Sequence, residues 1–188
     1  MAGGVGGKAK AGAAKAKVRR RTPAAVHGAA VDEAKVYTEP FVLNPVKWKA
    51  YKSTAPLTWK HVDFNAASRV KVPKSPGLYA FAVQPPHADF PPSSWLFYVG
   101  EVGATGSEAR TLWQRYKEYL VELDESIRAK VGSFIFRYNG FVRFYFCELD
   151  PKTADIKAIE SELISALWPE GNIRDFNVGS AGTRRAFG

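Results

Sequence analysis

From Pro76 onward the hydrophobic and polar positions fall into a regular order. Gly77-Leu78-Tyr79-Ala80-Phe81-Ala82-Val83 has the alternation and aromatic content of a strand that starts after a Pro-Gly break. Pro85 to Ser94 is a Pro-rich loop, and Trp95-Leu96-Phe97-Tyr98-Val99-Gly100 predicts a second strand. Thr111 followed three residues later by Gln114 has capping-box spacing and opens a helix. Leu112, Tyr116, Tyr119, Leu120, Leu123 and Ile127 then form a single apolar stripe along it. Phe134 to Tyr138 and Phe141 to Leu149 flank Asn139-Gly140, the favoured two-residue hairpin turn, which predicts two more strands. A second helix is expected from about Thr153 to Trp168, stopped by Pro169. The pattern describes a small α/β unit with helices interleaved among strands, spanning residues 76–188.

The chain before Pro76 is organised differently. Residues 1–35 offer almost nothing to bury and carry the run Arg19-Arg20-Arg21, so a disordered basic arm is expected. Residues 36–75 interleave Trp48, Tyr51 and Trp59 with Lys47, Lys49, Lys52 and Lys60. Two expectations stand for this lead-in: an amphipathic strand pair whose rings cover the core, or rings that stack on bases while the lysines hold phosphates.

Composition and charge narrow the function classes. The 188 residues are 46% hydrophobic and 13% aromatic, enough for a folded core. No long uncharged apolar run exists, so no membrane helix is expected. No apolar core precedes a cleavage site, so no secretory signal is expected and the location implied is cytoplasmic or nucleoid-associated. The lone Cys147 excludes a disulfide scaffold and a multi-thiolate zinc site, and is expected as a buried thiol on a strand. Residues 1–74 hold 15 Lys and Arg against four acids, while the remainder holds 12 against 14. The net charge of +9 therefore belongs to the N-terminal part, where Arg19, Arg20, Arg21, Lys47, Lys49 and Lys52 are the candidate nucleic-acid contacts.

The candidate chemistry begins with a carboxylate. Winding the second helix at about 100° per residue places Ile156, Ile159, Leu163 and Leu167 on one face. Glu160 falls inside that face and Glu162 outside it. A carboxylate turned toward a core needs a cation, either an Arg or a hard metal ion such as Mg²⁺. Arg115 lies at the margin of the first helix's stripe, one turn before Tyr119, so both point the same way. Gly100-Glu101-Val102-Gly103 and Gly106 form a Gly-rich turn before that helix, without the Lys-Ser or Lys-Thr of a phosphate loop.

Gly77-Leu78-Tyr79, Tyr98-Val99-Gly100, Arg115 with Tyr119, Glu160 and Asn172, in that order, resemble the GIY-YIG endonuclease superfamily over residues 76–175. The resemblance implies an α/β (α+β) fold with a small, mainly antiparallel central sheet flanked by helices. It also implies metal-dependent hydrolysis of phosphodiester bonds by activated water, with nucleic acid as partner and DNA as substrate. Glu160 would hold one Mg²⁺ or Mn²⁺, and Arg115 would neutralise charge developing on the phosphate. Tyr79 or Tyr98 would take the proton from water, Tyr119 would orient water or phosphate, and Asn172 would hydrogen-bond within the site. Two departures stand out: a long spacer between the triplets, and Glu101 where many members have Lys. A catalytically idle nucleic-acid-binding module and an RNA-cleaving, toxin-type nuclease remain the alternatives. His27, His61 and His87 lie outside the motif.

Overall fold

A computed structural model describes residues 43–85, 93–104, 110–125 and 129–172, together with Met1, Gly3, Asp89 and Pro91. The chain divides into Met1–Thr38 and Glu39–Gly188, and every element below belongs to the second unit. In order these are α1 (Pro45–Ala50), β1 (Lys60–Asp63), a short 3₁₀ turn (Ala67–Lys71), β2 (Gly77–Val83) and β3 (Trp95–Val102). Then come α2 (Leu112–Glu125), α3 (Ala129–Arg137), β4 (Val142–Glu148), α4 (Ile156–Leu167) and a last 3₁₀ turn (Glu170–Asn172). No described helix is long and apolar enough to cross a membrane.

The four strands form one antiparallel sheet in the order β1-β4-β2-β3. Side chains alternate between its faces, and each face is buried by helices. Tyr79, Phe81, Phe97, Phe144 and Phe146 join Leu112, Tyr116 and Tyr119 of α2 and Phe134 and Ile135 of α3 in one core. Leu78, Ala80, Val99 and Cys147 join Ile156, Ile159, Leu163 and Ile164 of α4 in the other. The fold is thus α+β, with α2 and α4 on opposite sides of one sheet. Cys147 is the buried strand thiol expected from its composition.

Local chemistry explains most element ends. In α2 the Thr111 amide donates to Gln114 Oε1 at 2.8 Å and the Gln114 amide to Thr111 Oγ1 at 3.3 Å, a reciprocal capping box. Asp155 caps α4 by accepting from the Ala158 amide at 3.0 Å, so this helix starts at Ile156 rather than near Thr153. It ends at Trp168, left-handed at φ 50°, ahead of Pro169.

Two expectations are corrected. Phe134 to Tyr138 is not a strand: Val131, Phe134 and Ile135 are buried while Phe136 is 67% exposed, the i, i+3, i+4 burial of a helix. The Phe134 ring stacks on Phe97 at 4.5 Å, and this packing overrides the strand preference of an aromatic run. Asn139-Gly140 accordingly joins α3 to β4 rather than two strands, with Gly140 at φ 88°. The lead-in does not form a strand pair either. Asn44 and Pro45 start α1 in the cap and first-turn positions, and β1 alone pairs with β4. The sheet therefore begins before Pro76. Ile127, residues 4–42 and residues 173–188 lie outside the described residues.

Candidate functional site

β2, β3 and α2 converge on one cluster of phenols and a guanidinium. Tyr79 on β2 stands opposite Gly100 on β3. A Cβ at position 100 would lie 2.4 Å from the Tyr79 hydroxyl, so the ring occupies space that only glycine leaves open. Tyr98, two residues earlier on β3, brings its ring centre to 6.0 Å from that of Tyr79. From α2, Arg115 and Tyr119 sit one turn apart on the same face. Arg115 Nε donates to the Tyr79 hydroxyl at 2.9 Å, and the hydroxyls of Tyr79 and Tyr119 share a hydrogen bond of 3.0 Å. The Arg115 guanidinium lies 5.2 Å from the Tyr119 ring centre and 5.7 Å from that of Tyr79. Tyr79, Tyr98, Arg115 and Tyr119 are thus brought together.

Arg115 has a partner that the sequence reading missed. Its Nη1 meets Glu118 Oε2 at 2.6 Å, and Glu118 also faces Arg110 Nε at 3.9 Å. The i, i+3 spacing of 115 and 118 was the available signal. Only 16% of the Arg115 side chain is exposed, so the carboxylate keeps a sequestered cation from being uncompensated.

Burial dominates the proton chemistry here. It pushes the Tyr79 phenol well above the ordinary tyrosine value, with Tyr119 and Tyr98 adding to the shift and Arg115 opposing it. Tyr98 is also raised, again first by burial and then by Tyr119. Burial works against the Arg115 charge, but Tyr79, Tyr119 and Glu118 outweigh it and hold the guanidinium more firmly protonated. Elsewhere on α2, burial pushes Tyr116 up to about 12. A phenol raised on folding stabilises the protein fully below its unfolded value of about 10, and this is lost as pH rises past it. Phenolate absorbance in an alkaline titration should therefore show a late-ionising set of tyrosines. The urea midpoint should fall above pH ~10, and less steeply in Tyr79→Phe.

No family model, curated protein or solved structure matches the chain.

Asn172 lies beside this cluster without pointing into it. β3 is an edge strand, and the Asn172 amide stands in for a missing neighbour: Oδ1 accepts from the Val99 amide at 2.8 Å and Nδ2 donates to the Val99 carbonyl at 2.7 Å. Gly171 packs so closely that a Cβ there would meet the Phe97 carbonyl at 2.7 Å. The last 3₁₀ turn thus clamps the strand that carries Tyr98 and Gly100. Asn172→Ala removes both bonds from buried backbone groups and should cost about 2–4 kcal/mol, read from urea unfolding.

Glu160 is half-buried on α4, flanked by the buried Ile159 and Leu163, while Glu162 is exposed. The phasing drawn from the sequence therefore holds. α4 packs on the sheet face opposite to Arg115. Gly100, Glu101 and Val102 belong to β3, so the Gly-rich turn expected there begins only at Gly103; Glu101 Oε2 accepts from the Ala104 amide at 3.2 Å. Lys47, Lys49 and Lys52 are exposed on and after α1. Lys47 and Lys52 line a groove of about 430 Å³ with Tyr51, Ser161 and Glu162, away from the tyrosines. His61 packs on Tyr145 at 5.0 Å. Arg19, Arg20, Arg21, His27, His87 and Gly106 lie outside the described residues.

Proposed function

We propose that the chain is a divalent-metal-dependent endonuclease of GIY-YIG type that hydrolyses phosphodiester bonds of DNA. The observation that carries this reading is the Arg115–Tyr79–Tyr119 hydrogen-bonded unit with Tyr98 beside it, formed from residues far apart in sequence. A guanidinium held in place by Tyr79 and Glu118 beside neutral phenols suits a developing phosphate charge.

Glu160, on the helix across the sheet from Arg115, is the carboxylate offered to a hard cation. Glu160 offers one half-buried carboxylate, and among the described residues no three His, Cys, Asp or Glu side chains converge. Mg²⁺ is commonly held by one or two carboxylates together with water and substrate phosphate, so a single Glu is sufficient. Bound at Glu160, Mg²⁺ or Mn²⁺ would supply Lewis acidity toward a phosphate oxygen.

The remaining roles belong to the chain. Tyr79 is wholly buried and fixes Arg115 and Tyr119. Tyr98 is only partly buried, so it is the phenol that water can reach. Its raised pKa means that it accepts the water proton only when positive charge favours its phenolate, and Arg115 is the cation beside it. Arg115 in turn holds the phosphate oxygen whose charge grows as the bond to the 3′ oxygen breaks. Arg19, Arg20, Arg21, Lys47, Lys49 and Lys52 would add sequence-independent phosphate contacts.

Purified protein should nick supercoiled plasmid with Mg²⁺ and not with EDTA, while labelled RNA stays intact. Cleavage of RNA alone would move the reading to an RNA-cleaving nuclease. DNA binding without cleavage of either would leave an idle binding module.

A further inference from the structure

Trp113 carries two cations on the flank of α2 turned away from Arg115. The Arg69 guanidinium carbon lies 3.4 Å from the Trp113 ring centre and the Lys74 ammonium 5.1 Å from it. Each contact alone is favourable, but two cations drawn to one ring repel each other. Arg69 Nε and Nη2 are buried and have no hydrogen-bond partner. Guanidinium donors removed from water are almost always bonded, and leaving them unbonded is costly. Arg110, Arg115 and Arg143 each meet a carboxylate, and no such pair involves Arg69, Lys71 or Lys74 among the described residues.

The surroundings are held firmly. The Trp113 amide donates to the Pro73 carbonyl at 3.0 Å and the Leu112 amide to the Ser75 carbonyl at 2.9 Å. The Tyr116 hydroxyl bonds the backbone of Asp63 and Asn65. The segment carrying Arg69 and Lys74 is therefore fastened to α2, with Lys71 exposed on the first and Lys117 exposed one turn past Trp113.

We propose that Arg69, Lys74 and Trp113 form a docking site for a phosphate of the nucleic-acid backbone. An oxyanion would be held by the exposed Lys74 ammonium and the Nη1 edge of Arg69, which is not among the buried donors, and would screen the repulsion between the two cations. That the phosphate belongs to nucleic acid rests on the nuclease reading above. Residues 113 and 115 point about 200° apart, so the two sites straddle a helix roughly 10 Å across. The docked phosphate is therefore a different one from that offered to Arg115.

The test titrates the full chain with a short duplex DNA over a salt series, followed by tryptophan fluorescence. Arg69→Gln and Lys74→Gln should each weaken binding several-fold on unrelated sequences and lower the salt slope by about one. Lys74 is exposed, so its variant keeps the test valid if Arg69→Gln loses its far-ultraviolet circular dichroism. Unchanged affinity and slope in both variants would overturn the proposal. A wild-type chain that does not bind duplex would overturn the nuclease reading instead, and inorganic pyrophosphate then decides this site. A rise in wild-type Tm that Arg69→Gln lacks would sustain an anion site, and equal rises would refute it.

Discussion

Glu160→Ala should lower the single-turnover cleavage rate by about 10³-fold or more, beyond the 10–100-fold expected from losing a mere supporting group. Glu162→Ala, two residues along the same helix, should leave the rate nearly unchanged. The contrast follows from helical phasing. Ile156, Ile159 and Leu163 are buried against the sheet, Glu160 is half-buried on their flank, and Glu162 is exposed toward Tyr51 and Lys52. DNA affinity should survive in both variants, because phosphate contacts come from cations elsewhere. Rates from quenched time courses, beside binding isotherms, check this. The reverse ranking would show that the wrong carboxylate had been assigned to the metal.

Legibility in the sequence followed the range of the interactions. β2, β3 and the start of α2 were readable because a Pro-Gly break and a capping box act within four residues. The face of α4 was readable because its period is carried by Ile and Leu at regular spacing. The helix over Phe134 to Arg137 was not, since a short aromatic run takes its form from what it packs on, here Phe97. The two bonds of Asn172 to Val99 were equally hidden, because they join it to the free edge of a strand far away in sequence. The place and partner of the one strand in the lead-in were not readable, because the four-residue β1 has no pattern of its own and exists through its pairing with β4.

The candidate site divides in the same way. Its residues were named from the resemblance, and the fold joins Tyr98, Arg115 and Tyr119 around Tyr79. The proton states could not, because the raised pKa values come from burial by a core built from distant segments. Nor could the balance at Arg115. Glu118 holds the guanidinium at 2.6 Å and shares itself with Arg110, so a phosphate arriving at Arg115 competes with a carboxylate already in place. Arg110 can retain Glu118 as that exchange occurs, which makes the arrangement usable for a charge that appears only transiently.

The central claim is that Arg115, fixed by Tyr79, stabilises the charge of phosphodiester cleavage. Arg115→Ala deletes the Nε bond to Tyr79 and the only described cation hydrogen-bonded to the tyrosine cluster, and exchanges a preorganised donor for solvent. The decisive measurement is rapid-quench single-turnover cleavage at saturating duplex DNA and Mg²⁺, run with a binding isotherm on the same preparation. The expected result is a rate lower by about 10²–10³-fold with affinity changed only slightly. A cleavage rate equal to wild type, with the whole loss in affinity, would contradict it and make Arg115 a positioning contact for the strand.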